Sequence, residues 1–311
     1  MKKQPRNVAA SVRARLTNLA RTEKRSVQGI FIRYMQERLL YRLAESQYAD
    51  EFVLKGGLLL YGVYRIGDRP TIDIDLLGRH IATNSITDVI RGIVSTPIDV
   101  NDGVIFDPES IRAEEITGQT EYEGVRVFVD CRLEQAKYTL QVDIGFGDVI
   151  IPRPTRMEFP TLLDSPPPII LVYSLESAIA EKFEAMIRFS YANSRLKDFF
   201  DIYTLLSHHG FDGRVLQEAI TETFGRRGTP VERDISLFRS EFAENLHMQK
   251  QWKAFLKRIQ IPEDTQPDFA AIMVCISRFL GPIYFAMCCE EEFFGKWNPK
   301  TREWVHYLID T

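Results

Sequence analysis

Two aspartates, Asp73 and Asp75, stand two residues apart in the strand-like run TIDIDL, residues 71–76. Successive strand side chains alternate faces, so both carboxylates project from one face, about 6–7 Å apart along the strand. Ile72, Ile74 and Leu76 then face the core. Carboxylates so placed repel each other unless a cation sits between them. Mg²⁺ answers that need, because it takes a few carboxylates together with phosphate oxygens and water. Aspartate is depleted in strands, which weighs against two merely solvated side chains. A third acid, Asp143, lies in the run YTLQVDIGFGD between Val142 and Ile144 and faces away from their core side. It would complete a set able to hold two ions about 3.5–4 Å apart. A salt-bridged or edge-strand aspartate is the bland alternative.

The residues leading into the acidic strand suit a triphosphate. Gly56 and Gly57 precede a helical stretch, where a close-approaching backbone and unsatisfied N–H groups can receive phosphate. Lys55 is a phosphate contact or an ordinary surface lysine. Arg69 and Thr71 either touch the triphosphate or anchor the turn at Pro70. Further on, Glu181 and Lys182 interrupt an apolar helix. Lys182 can neutralise β- and γ-phosphates as a mobile point charge, or simply extend to solvent. Arg195 and Asp198 stand three apart on one helical face, and Lys197 and Asp201 four apart on another. They are helix-stabilising ion pairs or an acid–base cluster.

These groups need elements to hold them. Apolar positions from Val12 to Leu43 predict two helices broken near Thr22–Arg25, then a short strand over 52–54 entering the glycine turn. The patterning predicts a buried helix over Leu58–Tyr64, a strand over Thr71–Leu77 and a helix over about Ser85–Ser95. Val125–Leu133 and Tyr138–Ile144 read as an antiparallel hairpin joined by Glu134–Lys137. The proline-rich segment from Arg153 to Tyr173 reads as a lobe boundary. Beyond it the chain is mostly helical, with runs at Leu175–Phe189, Leu196–Ser207, Gly213–Phe224, Ile235–Ile259 and Phe269–Cys289. The expected architecture is a mixed α/β lobe with flanking and C-terminal helices. The expected domains are basic helices over 1–48, a sheet domain over 49–165 and a helical domain over 166–311.

The 311 residues are 45% hydrophobic and 26% charged, with a net charge of −4, the composition of an ordinary globular protein. Any nucleic-acid contact must therefore be local. The first 42 residues hold eleven Lys or Arg against Glu23 and Glu37, either a solvated face or an RNA-facing one. Cys131, Cys275, Cys288 and Cys289 show neither zinc-ligand spacing nor a disulfide framework, and read as reduced thiols of a cytoplasmic protein. No uninterrupted apolar stretch of bilayer length and no signal peptide is expected, so no membrane is assigned.

In order and combination, FVLKGG, RPTIDIDL, VDIGFGD, EKFEAM and RLKDFFDIY resemble the AbiEii/AbiGii toxins of type IV toxin–antitoxin and abortive-infection systems. The resemblance spans about residues 10 to 206. It implies a DNA polymerase β-like nucleotidyltransferase sheet lobe, α/β (α+β) in class, with a C-terminal helical lobe. Position by position it implies Gly56 and Gly57 as the nucleotide-binding turn, Asp73 and Asp75 as the metal-binding pair, Lys182 as the lysine of the Glu-Lys helix, and Asp198, followed by Asp201, as the acid of the last motif. Two departures stand out. Fifteen residues separate Gly57 from Asp73, more than in generic nucleotidyltransferases, and Thr71 stands where serine is often found.

The function expected is Mg²⁺-dependent transfer of a nucleoside monophosphate from an NTP to RNA, at a tRNA 3′ end, with pyrophosphate leaving. Asp198 would position or deprotonate the acceptor hydroxyl. A co-encoded winged-helix antitoxin would be the protein partner. Two rivals share the acidic strand: transfer to a small-molecule or protein hydroxyl, and a non-catalytic nucleotide-binding regulator.

Overall fold

The computed structural model describes residues 7–64, 71–116, 124–261 and 263–306. The chain divides into two compact units, residues 1–147 with 154–173, and residues 148–153 with 174–311.

The first unit opens with two helices, α1 (Val8–Thr22) and α2 (Val27–Glu45). Asn7 and Ser26 cap them by accepting the Ala10 and Gly29 N–H groups. Then follow β1 (Phe52–Lys55), α3 (Gly56–Tyr64), β2 (Asp73–Gly78), α4 (Ile86–Val94), β3 (Val104–Phe106), β4 (Arg112–Glu115), β5 (Gly124–Leu133), β6 (Ala136–Phe146), β7 (Thr155–Glu158) and β8 (Ile169–Val172). They form an eight-stranded mixed sheet in the order β3-β5-β6-β2-β1-β8-β7, with β4 continuing the β5 edge beyond β3. β2 runs parallel to β6 and antiparallel to β1.

Alternation sorts the strand residues as period-2 geometry requires. Val125, Val127, Val129, Leu140, Val142 and Ile144 are buried, and α1 and α2 pack against these strands. Arg126, Gln141 and Asp143 occupy the opposite face. Ile74 and Leu76 are buried as expected, but Ile72 is 67% exposed. The strand begins only at Asp73, so Ile72 never enters the alternation. The proline-rich segment was expected to mark a lobe boundary. The division between the two units falls at both ends of that segment, at 153/154 and 173/174, and the segment itself contributes β7 and β8, because its prolines fall outside the paired residues.

The basic N-terminal helices are not one cationic face. Arg33, Arg38 and Arg42 are buried. Arg42 Nη1 donates to Asp102 at 2.8 Å, and the Arg33 guanidinium lies 3.9 Å from the Tyr61 ring centroid. Glu37 is fully buried, 2.6 Å from Arg38 Nη2, and accepts the Leu162 N–H at 2.7 Å. Burial pushes the Glu37 carboxyl up to about 7, against the pull of Arg38. The fold therefore retains this proton to higher pH than the unfolded chain. That contribution is complete below about pH 4.5 and is lost as pH rises through 7. Its full size is on the order of 3 kcal/mol. Glu37→Gln keeps an acceptor for Leu162 and should flatten the fall in melting temperature between pH 4.5 and 7; an unchanged slope would locate the proton elsewhere.

The second unit holds α5 (Leu175–Phe189), α6 (Leu196–His208), α7 (Gly213–Arg227), α8 (Ser240–Glu244), α9 (Leu246–Arg258) and α10 (Phe269–Cys288). A hairpin of β9 (Lys296–Asn298) and β10 (Glu303–Val305) completes it. The single helix expected over Ile235–Ile259 is two, because Asn245 leaves the helical backbone and caps α9 through the His247 and Met248 N–H groups. The terminal hairpin was not expected. α10 is long and apolar enough to cross a membrane by composition, unlike the reading from sequence, but over half of it is buried. Ile272, Ile276, Phe279 and Ile283 lie in the core.

Candidate active site

Sheet register sets four charged residues side by side. Lys55 of β1 pairs with Asp75 of β2, Asp75 with Asp143 of β6, and Asp143 with Arg126 of β5. Laterally paired residues share a face, so the row reads plus, minus, minus, plus. Asp73 joins it from two residues upstream on the same face. One carboxylate oxygen from each of Asp73, Asp75 and Asp143 falls within 4.8 Å of the others. The three acids expected from sequence are thus brought together, by a parallel β2–β6 pairing that adjacent residue spacing alone does not reveal.

Local structure fixes each acid. Thr71 Oγ1 donates to Asp73 Oδ1 at 2.8 Å, so Thr71 is placed as an anchor of the acidic strand. Gln36, fully buried on α2, donates from Nε2 to the Ile72 carbonyl at 3.0 Å. This ties the entry of β2 to the core helix. Gly56 has φ +68°, and a β-carbon there would lie 1.9 Å from Asp75 Oδ2. The absent side chain is the space that the Asp75 carboxylate occupies. Gly56 and Gly57 also open α3, whose first N–H groups have no intrahelical acceptor. Arg69 lies outside the described residues.

Asp143 carries partners that the sequence reading missed. Arg126 Nε and Nη2 donate to its two oxygens, each at 2.8 Å. Gln141 Nε2 lies 3.0 and 3.1 Å from the same oxygens. The signal was available in the hairpin. A two-residue turn, Glu134–Gln135, pairs Leu133 with Ala136, and the ladder then sets Arg126 opposite Asp143. The link over Glu134–Lys137 shifts that ladder by two residues. Glu134, at φ +55°, makes the tighter turn.

In the second unit Lys182 of α5 donates to Asp198 at 3.1 Å and to Asp201 at 2.8 Å, both on α6. The Arg195–Asp198 pair forms at 2.9 Å, whereas Asp201, expected to pair with Lys197, accepts from Lys182. Asp198 is fully buried. Burial pushes its carboxyl up, but the charges of Lys182 and Arg195 outweigh that and hold it below the ordinary range. A carboxylate so held is a weak base; its geometry suits fixing the Lys182 ammonium.

Hard oxygen donors converging on one open face are the set that Mg²⁺ takes, so the three acids fit a divalent ion. A groove of about 580 Å³, lined in part by Asp107, Asp130, Arg132 and Lys137, contains none of these residues.

The sequence pattern of one protein family, described as "Nucleotidyl transferase AbiEii toxin, Type IV TA system", matches residues 38–274. Comparison with the curated proteins finds no sequence match. Among solved structures, a protein of H. pylori provisionally named a nucleotidyltransferase aligns at 15% identity over 86% of this chain and 100% of its own, with a TM-score of 0.48. JHP933 from Helicobacter pylori aligns at 14% identity over 85% and 95%, with a TM-score of 0.45.

Proposed function

The chain belongs to the AbiEii family of nucleotidyl transferase toxins of type IV toxin–antitoxin systems, and from that premise we propose how and on what it acts. It moves a nucleoside monophosphate from an NTP to the 3′ end of an RNA, a tRNA, at the face carrying Asp73, Asp75 and Asp143. The observation that carries this reading is the convergence of those three carboxylates with Gly56 closed against Asp75.

Asp73, Asp75 and Asp143 would hold Mg²⁺. When bound, the ion neutralises triphosphate charge and makes the acceptor hydroxyl a better nucleophile. Gly56 and Gly57 present the N-terminus of α3 to phosphate. In the second unit Asp198 and Asp201 hold the Lys182 ammonium, the lysine that the resemblance of the motifs assigns to nucleotide. Asp198 is therefore a positioning residue rather than the acceptor's base. Support for an RNA acceptor comes from the resemblance of the motifs and from α1 with the turn after it, where Arg21 and Lys24 are exposed and the exposed Arg13 and Arg15 pair with Glu134 and Asp164. The family places an antitoxin beside the toxin; a winged-helix antitoxin encoded next to it is the partner proposed.

The test is incubation with Mg²⁺, each α-labelled NTP in turn and total tRNA, intact or oxidised with periodate at its 3′ diol. Label on intact tRNA and none on oxidised tRNA is expected. Equal labelling of both would exclude the 3′ end. Label only on protein or a small molecule would move the acceptor while keeping the acidic site.

A further inference from the structure

We infer that Arg126 is an exchangeable latch on the third carboxylate: it occupies Asp143 in the metal-free enzyme, and transfers to a phosphate of the incoming nucleotide when Asp143 turns to the metal. The inference rests on the metal-site reading above.

The geometry of Asp143 is the starting point. A carboxylate has about four lone-pair positions. Three N–H donors meet the two oxygens of Asp143, two from Arg126 and one from Gln141 shared between both oxygens. Most of that acceptor capacity is taken, and both oxygens are engaged by the Arg126 fork. Asp73 differs, since a single hydroxyl, that of Thr71, meets one of its oxygens. Asp143 is therefore guarded, and the guard is a fork whose two parallel N–H groups match a carboxylate and a phosphate equally well.

The fork can also leave. Arg126 stands on β5 next to Asp143, with its side chain 39% exposed, while that of Asp143 is 17% exposed. A short pivot carries the guanidinium into solvent without opening the core, which lies on the other face of the strand at Val125 and Val127. The electrostatics give it a reason to stay. Without an ion, Asp75 and Asp143 face each other across one sheet pairing, and Arg126 on one flank supplies compensating charge. Once an ion does so, the same positive charge beside it is repelled. A triphosphate brought with the ion offers it a new anionic partner within reach of the strand. The nucleotide thus both displaces and recaptures the arginine, which couples metal ligation by Asp143 to nucleotide arrival.

The experiment measures Mn²⁺ binding by electron paramagnetic resonance, without nucleotide, for the unaltered chain, Arg126→Gln, Arg126→Lys and Asp75→Ala. It then measures KM and kcat for the NTP in the first three. Removing the fork should tighten Mn²⁺ about tenfold in Arg126→Gln, a change of about 1.4 kcal/mol. Arg126→Lys, which cannot bridge both oxygens, should also bind Mn²⁺ more tightly but keep its phosphate partner. KM for the NTP should therefore rise severalfold in Arg126→Gln and stay near the parent value in Arg126→Lys. Mn²⁺ affinity that depends on Asp75 yet is unchanged or weaker in Arg126→Gln would overturn the latch while the metal site stands. Mn²⁺ binding untouched by Asp75→Ala would overturn both.

Discussion

Asp75→Ala lowers nucleotidyl transfer by on the order of 10³-fold or more, and leaves the fold in place. Asp75 is the central acid of the row, paired through the sheet with Lys55 on one side and Asp143 on the other. Neither neighbouring acid can substitute for it, because Asp73 lies one pleat upstream and Asp143 one strand across. Loss of a group that stabilises transition-state charge typically costs 10²–10³-fold, and loss of a central metal ligand removes more than one contact. The same change relieves repulsion between neighbouring carboxylates in the metal-free state. The melting temperature without metal should therefore stay within about 4 °C of the parent, while the rise that Mg²⁺ gives the parent disappears. Full activity in this variant would end the assignment of the site.

The second large effect comes from adding a single methyl group. Gly56→Ala places a β-carbon 1.9 Å from Asp75 Oδ2 and 2.5 Å from its Cγ, in a residue whose φ is +68°. Neither contact is tolerable, and β1 continues straight into α3 at this residue. The carboxylate must swing off the row or the strand–helix junction must shift. The left-handed backbone adds about 1–2 kcal/mol for a residue with a side chain. Transfer should fall about 10²-fold or more, with weaker Mn²⁺ binding and a loss of about 2–3 kcal/mol of stability. Gly225→Ala in α7 is the control, since a β-carbon there meets nothing within 4 Å. It should leave activity unchanged and raise stability by up to about 1 kcal/mol. Comparable activity loss in both variants would mean that the Gly56 effect is unspecific.

The part of this fold that local pattern governs was readable from the chain. The alternation through Val125–Leu133 and the helical spacing of α5 and α6 each follow from which residues prefer water. The acidic pair was readable too, because two aspartates in an apolar strand need a reason. What was hidden depends on partners distant in sequence. Arg33, Arg38 and Arg42 count as positive charges in a composition, yet the fold consumes them in the interior beside Tyr61, Glu37 and Asp102. Gln36 is an unremarked polar residue until the segment entering β2 supplies carbonyls for it. Asp198 carries the spacing of a surface ion pair with Arg195, and only the packing of α5 on α6 shows it enclosed with Lys182. Arg126 lay within reach of reasoning, because the hairpin turn dictates its partner; counting Ala136 and Lys137 into the turn was enough to conceal it.

Nucleotidyl transfer at the three acids has a direct test in where each phosphate goes. The protein is incubated with Mg²⁺, tRNA and each NTP labelled either at the α- or at the γ-phosphate, with and without excess chelator. Label from the α-position should enter tRNA only when Mg²⁺ is present, while label from the γ-position should appear only in pyrophosphate. Label from the γ-position in tRNA, or α-label incorporated undiminished under chelator, would contradict metal-assisted nucleotidyl transfer at Asp73, Asp75 and Asp143.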